Sequence, residues 1–210
     1  MRIGMPSPRR PWRFPSLIAV IMVLLSVAAC EFRSPAVDKL RPGDLLFHVV
    51  KESNAITDVT PGMIDHVAIV VTTDSVIEAV PKSGVHIVHV DTLLQDDGYW
   101  IHSRVKTVDA HQSIARARRY LGLPYDSLFL PDNRAVYCSE LVQVSFVDSQ
   151  GKLLFEPVPM SFHDGSGQIL PYWEAFYARQ GMDVPEGWPG TNPGELSKRP
   201  IVVIVSDSLK

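Results

Sequence analysis

The chain has 210 residues, 46% of them apolar, and a formal net charge of −3. That length suits one globular domain once an export leader is set aside. With 20 Lys and Arg against 23 Asp and Glu, there is no basic stripe for a phosphate backbone, and nucleic-acid binding is disfavoured.

The N-terminus carries Arg2, Arg9, Arg10 and Arg13 ahead of an apolar run over residues 17–27, the layout of a secretory signal. The run is shorter than the ~20 residues a membrane-spanning helix needs. It closes on Leu25-Ser26-Val27-Ala28-Ala29-Cys30, which resembles the lipobox of bacterial lipoproteins. The resemblance implies removal of residues 1–29, diacylation of Cys30 and a short tether over 30–38, leaving a domain over 39–210. It also implies a bacterial cell-envelope location, anchored to a membrane at the outer-membrane or periplasmic face. Only two cysteines are present, so lipid on Cys30 leaves Cys138 without a disulfide partner. A lone thiol in a non-reducing compartment is open to oxidation. Its simplest role would be that of a small buried hydrophobe.

Along the domain, Arg41-Pro42-Gly43-Asp44 is turn chemistry leading into a strand over 45–50. A loop over 58–63 delivers the chain to a largely buried strand over 66–71, and strands over 76–80 and 84–90 follow as a β-meander. Asp91 is placed to cap a short helix, after which 99–105 returns to strand composition. The content of 109–121 is helical, with Ile114, Ala117 and Leu121 on one face and Gly122 as a stop. Cys138, Leu141, Val142, Ser145 and Phe146 trace an apolar stripe at helical spacing, so a helix begins at Cys138 and ends before Gly151. A helix over 171–180, a surface wrap over 181–199 and a terminal buried strand over 201–205 complete the chain.

A thiol in the first turn of a helix sits where unpaired backbone N–H groups and the macrodipole favour the thiolate. It then needs a base, and histidine suits that task near neutral pH. Of the seven histidines, His66 is the best placed, because it opens an apolar strand and shares a face with Ala68 and Val70. His86, His89, His102 and His111 are weaker. Glu78 is the candidate third group. A three-residue loop over 72–74 would pair Ala68 with Glu78, setting Glu78 on His66's face and diagonal to it. A two-residue loop would turn Glu78 to the opposite face, and on an edge strand it would simply be solvated. His86 and His89, read as sharing one strand face, raise a metal site, but no second ligand pair sits at zinc-like spacing.

Gly43-Asp44-Leu45-Leu46-Phe47, Asp65-His66-Val67-Ala68-Ile69-Val70, Val76-Ile77-Glu78-Ala79 and Tyr137-Cys138-Ser139-Glu140-Leu141-Val142 together resemble the circularly permuted branch of the NlpC/P60 cysteine hydrolases. Within that branch they resemble the YiiX/YebB-like group. In the ordinary branch cysteine precedes histidine, whereas here His66 precedes Cys138. The resemblance runs from about Lys39 to Phe162. It implies an α+β, papain-like fold, a small antiparallel sheet or barrel packed against helices, with the nucleophile at a helix N-terminus. It implies Cys138 as nucleophile, His66 as base and Glu78 as third member, a position whose residue type varies in the family. Tyr125 and Tyr137 are candidate substrate contacts, and Gly43-Asp44 matches the family's opening turn. The segment after Phe162 is either a lid or a wrap.

The expected activity is hydrolysis of an amide, peptide or amino-acyl, through an acyl-enzyme, with no metal or other cofactor and the protein acting as a monomer. Lipid or N-acyl linkages are the rival substrates. A non-catalytic, cleft-bearing lipoprotein is the alternative from another class.

Overall fold

The structure is a computed structural model describing residues 37–106, 109–131 and 133–209. The secretory signal, Cys30 and the tether as far as Ala36 lie outside the described residues.

Four strands, β1 (Leu45–Val49), β2 (Ile64–Val70), β3 (Ser75–Val80) and β4 (Gly84–His89), form an antiparallel meander. After the short helix α1 (Val90–Leu93), β5 (Tyr99–Val105) returns to the open side of β1 rather than extending the meander past β4. Helix α2 (Ala110–Ala117) packs against α3 (Cys138–Ser145). The tail holds the two-residue strands β6 (Val158–Pro159) and β7 (Pro189–Gly190), which pair, with α4 (Pro171–Arg179) between them in sequence. Helix α5 (Pro193–Leu196) and β8 (Val202–Ser206) close the chain, and β8 pairs with β5 to give the sheet order β4-β3-β2-β1-β5-β8.

Strand β1 lies between β2 and β5 and is buried throughout, which is why it is an almost unbroken apolar run. Alternate residues feed two cores. Leu45, Phe47, Val67, Ile69 and Ile77 pack with Leu141, Val142 and Phe146 of the α3 region. Leu46, Ala68, Val70, Val76 and Trp100 pack with Val37, Leu40 and Leu93. Each large aliphatic side chain so buried contributes roughly 1.5–3 kcal/mol. A third cluster of Phe162, Trp173 and Tyr177 lies under the tail.

The opening turn is structural. Gly43 sits at φ 85°, and a Cβ there would stand 2.6 Å from that of Ala110, so only glycine admits this approach of α2. Asp44, 2% exposed, accepts from Arg104 Nε at 2.7 Å and Nη2 at 2.8 Å and from the Arg41 amide at 2.9 Å, and bonds His102 Nε2 at 2.6 Å. The carboxylate thereby clips the start of β1 to β5.

Helix α3 starts at Cys138 and stops at Ser145, before Gly151 as expected; Phe146 is extended and stays in the same core edge-on against Phe155, so the apolar stripe outlasts the helix. Two expectations need correction. Helix α1 is capped by His89, whose Nδ1 accepts from the Asp91 amide at 3.2 Å, rather than by Asp91. The terminal strand β8 is an edge strand, and Val203, Ile204 and Val205 are 38%, 59% and 37% exposed. Apolar β-branched composition reports an extended backbone, not depth. Among the described residues no helix is long and apolar enough to cross a membrane.

Candidate active site

Strand β2 supplies His66, β3 supplies Glu78 and the first residue of α3 is Cys138. Ile69 pairs with Ile77 and Val70 with Val76, and the Val71 amide donates to Ser75 O at 2.8 Å. That is the register of the three-residue loop, and it sets Glu78 diagonal to His66. Their side chains meet, with His66 Nε2 2.7 Å from Glu78 Oε2. Strand β4 covers β3, so Glu78 is buried at 7% exposure rather than solvated on an edge.

Sequence reasoning ranked His86 low, yet it lies directly opposite Glu78, with Nε2 3.4 Å from Oε1. The carboxylate therefore stands between two imidazoles. The signal was available in the tight connection at Gly84, which pairs with Val80 and places His86 across from Glu78.

Cys138 is a buried free thiol. The Leu141 amide closes the first turn of α3 onto Tyr137 O at 2.9 Å, so the amides of Cys138 and Ser139 precede the first intrahelical bond. Cys138 as well as Glu78 acts on the His66 imidazole. Burial by itself would lower the imidazole's pKa, but Cys138 and Glu78 outweigh that and push it up to about 10. Trp100, fully buried, meets the imidazole edge-on with ring centroids 6.0 Å apart.

A cavity of about 280 Å³ opens onto Cys138. Ile56 and Val59, Phe129, and from the tail Met160, Phe162 and Trp173 give it apolar walls. The tail is thus one wall of the cavity. Tyr125 and Tyr137 both line it. Burial and the neighbouring charge of Cys138 raise the pKa of Tyr125 far above the usual phenol range, so its hydroxyl keeps its proton. Tyr137 is committed to structure: its hydroxyl accepts from the Thr191 amide at 3.0 Å, tying α3 to the tail.

Residues 39–202 match the family described as permuted papain-like amidase enzyme, YaeF/YiiX, C92 family. The chain belongs to this family. It is accordingly an enzyme, an amide hydrolase of papain-like type with a mixed α+β fold. Among solved structures the amidase is similar to the metalloprotein yiiX from Escherichia coli O157:H7, at 22% identity and a TM-score of 0.64, over 79% of this chain and 96% of that one. The likeness is one of fold. No curated protein matches the chain.

The description of yiiX as a metalloprotein applies to that protein. Among the described residues of this amidase, no group of three or more His, Cys, Asp or Glu side chains is arranged to hold a metal ion. His86 and His89 are three apart on β4 and so point to opposite faces, not to one. His102 is absorbed by the Asp44 clip, and His89 by the cap of α1.

Proposed function

We propose that Cys138, His66 and Glu78 act as a catalytic triad that cleaves an amide bond of a peptide or amino-acyl substrate, cell-wall peptides among them. The bond between Glu78 and His66, with Cys138 acting on the same imidazole, supports this reading above all. The Cys138 thiolate attacks the carbonyl carbon, forming a C–S bond. The amides of Cys138 and Ser139 at the start of α3 face the oxyanion. Imidazolium His66 gives its proton to the leaving amine as the C–N bond breaks. Water, deprotonated by neutral His66, then attacks the thioester and releases the acid. Glu78 holds the imidazole in position and stabilises its charged form.

The apolar walls at Ile56, Val59, Phe129, Met160, Phe162 and Trp173 favour a second substrate reading, an N-acyl or lipid amide whose hydrocarbon part fills the cavity. Tyr125, which lines the cavity with Cys138, offers a polar contact for either substrate. The protein works as a monomer held at a bacterial envelope membrane by lipid on Cys30.

Incubation of the full chain with muropeptides and with N-acyl amino acids, against Cys138→Ala, separates the substrates. The expected result is equal release of new amine and new carboxylate by the wild type alone. Equal turnover by Cys138→Ala, or thiol-probe labelling that survives His66→Ala unchanged, would sink the triad.

A further inference from the structure

The β1–β2 ladder breaks beside the proposed base. His48 pairs with His66, but Val49 pairs with Ile64, so Asp65 is an extra residue with no partner on β1. Such a bulge re-aims the side chains around it, and bulges recur beside active sites. A bulge leaves backbone bonds unmade, so something else must hold its conformation. Here the Asp65 carboxylate does so: Oδ1 lies 2.8 Å from His48 Nδ1, and Oδ2 accepts from Asn54 Nδ2 at 2.8 Å.

Each partner is itself fixed. The other ring nitrogen of His48 lies 2.7 Å from Asp97 O, and the ring packs 4.9 Å from Trp100. Asn54 Oδ1 accepts from the amides of Ile56 and Thr57, so its orientation is locked by its own turn. Trp100 pairs with His48 on β5 and touches both histidine rings, 4.9 Å from His48 and 6.0 Å from His66. Both Asp65 oxygens are engaged by protein, although the residue borders the cavity. Its chemistry is therefore that of a brace rather than of a free anchor for substrate.

We propose that Asp65, braced by His48 and Asn54, and the wedge Trp100 are positioning residues that hold the bulge, and through it His66, in register with Cys138. This rests on the triad reading. The brace acts on the backbone on one side of His66, and Trp100 limits the ring's swing on another. Loss of the brace leaves the fold and cavity in place but lets the imidazole drift, and a displacement of about 1 Å at a reacting group costs on the order of a hundredfold in rate.

The test uses the full chain with His48→Phe, which keeps a ring against Trp100 but donates nothing to Asp65. His48→Asn retains a donor where Nδ1 stood. Turnover and the pH dependence of iodoacetamide alkylation at Cys138 are both read. His48→Phe is expected to lower kcat about tenfold or more with little change in KM, and to move the alkylation profile to higher pH as the thiolate loses its imidazolium. His48→Asn restores most of both. Should His48→Phe not fold, Asn54→Asp in the half-exposed loop sets a carboxylate against Asp65, and the same two shifts are expected there. A rise in KM at unchanged kcat would make Asp65 a substrate contact and overturn the proposal. So would a lower Tm with an unmoved alkylation profile. A wild type with no alkylation shift relative to free thiol and no turnover overturns the triad itself, and the brace with it.

Discussion

Replacing Glu78 by Gln is the sharpest perturbation of the site, because it changes charge while keeping shape at a carboxylate shared by two histidines. At an effective dielectric near 20, unit charges 2.7 Å apart attract by about 6 kcal/mol. Desolvation of a carboxylate only 7% exposed offsets much of that, and a charged hydrogen bond contributes about 1.5–3 kcal/mol net. If that difference is felt in the transition state, kcat falls by about ten- to a hundredfold, with KM little changed. The pH signs follow from His66, whose pKa rises from 6.5 to about 10 in the folded chain. A raised base stabilises the fold fully below 6.5, and that contribution is lost as pH climbs through about 10. Glu78→Gln should therefore bring the alkaline limb of kcat to lower pH and flatten the decline of Tm across that window. Steady-state kinetics and thermal melts between these pH values are the assay. A kcat within about twofold of wild type, or a loss confined to KM, would refute Glu78 as a group that, with Cys138, stabilises the imidazolium.

Asp44→Asn removes the charge that a buried carboxylate offers to the partly exposed Arg104 fork and should cost about 1.5–3 kcal/mol, seen as a lower urea midpoint at unchanged slope. Gly84→Ala places a Cβ 2.2 Å from Leu123 O at a φ of 65°. It should destabilise by about 1–3 kcal/mol and lower kcat as well, because the same turn sets His86 against Glu78; thermal melts and kinetics on one preparation check both. Cys30→Ser should abolish incorporation of a radiolabelled fatty acid and release the protein from the membrane fraction, whereas Cys138→Ser should do neither.

Local signals carried much of the site. Of the two loop lengths open between β2 and β3, the three-residue one between Val71 and Ser75 is the one formed, and it brings Glu78 to His66 because side chains alternate with a strict period of two. The stripe beginning at Cys138 marked a helix start for a similar reason. What stayed hidden was long-range or irregular. Trp173 bonds Ala55 O at 3.1 Å across 118 residues, and no local pattern couples the tail to the loop after β1. The bulge at Asp65 was equally invisible, since a period-two reading assumes the pairing it breaks. The exposure of Ile204 depends on whether another strand follows β8 in the sheet, which composition does not encode.

The permuted order becomes physically understandable once the parts are separated by range. His66 and Glu78 are 12 residues apart on one hairpin, so their pairing needs only the turn between β2 and β3. Cys138 arrives from far along the chain, and its place is set by α3 docking through Leu141 and Val142 onto the core shared with Val67, Ile69 and Ile77. Nothing in that docking depends on whether the helix precedes or follows the hairpin, because burial is indifferent to chain direction. The two halves are also open to different damage. Changes in the hairpin act on the charge and tautomer of the base and appear as shifts in pH dependence. Changes in the α3 interface move the thiol as a body and appear as lost amplitude at every pH. The bulge at Asp65 lies next to His66 on β2 and lines the cavity that Cys138 also lines, and a shift of the base there should register in the rate and in the pH profile together.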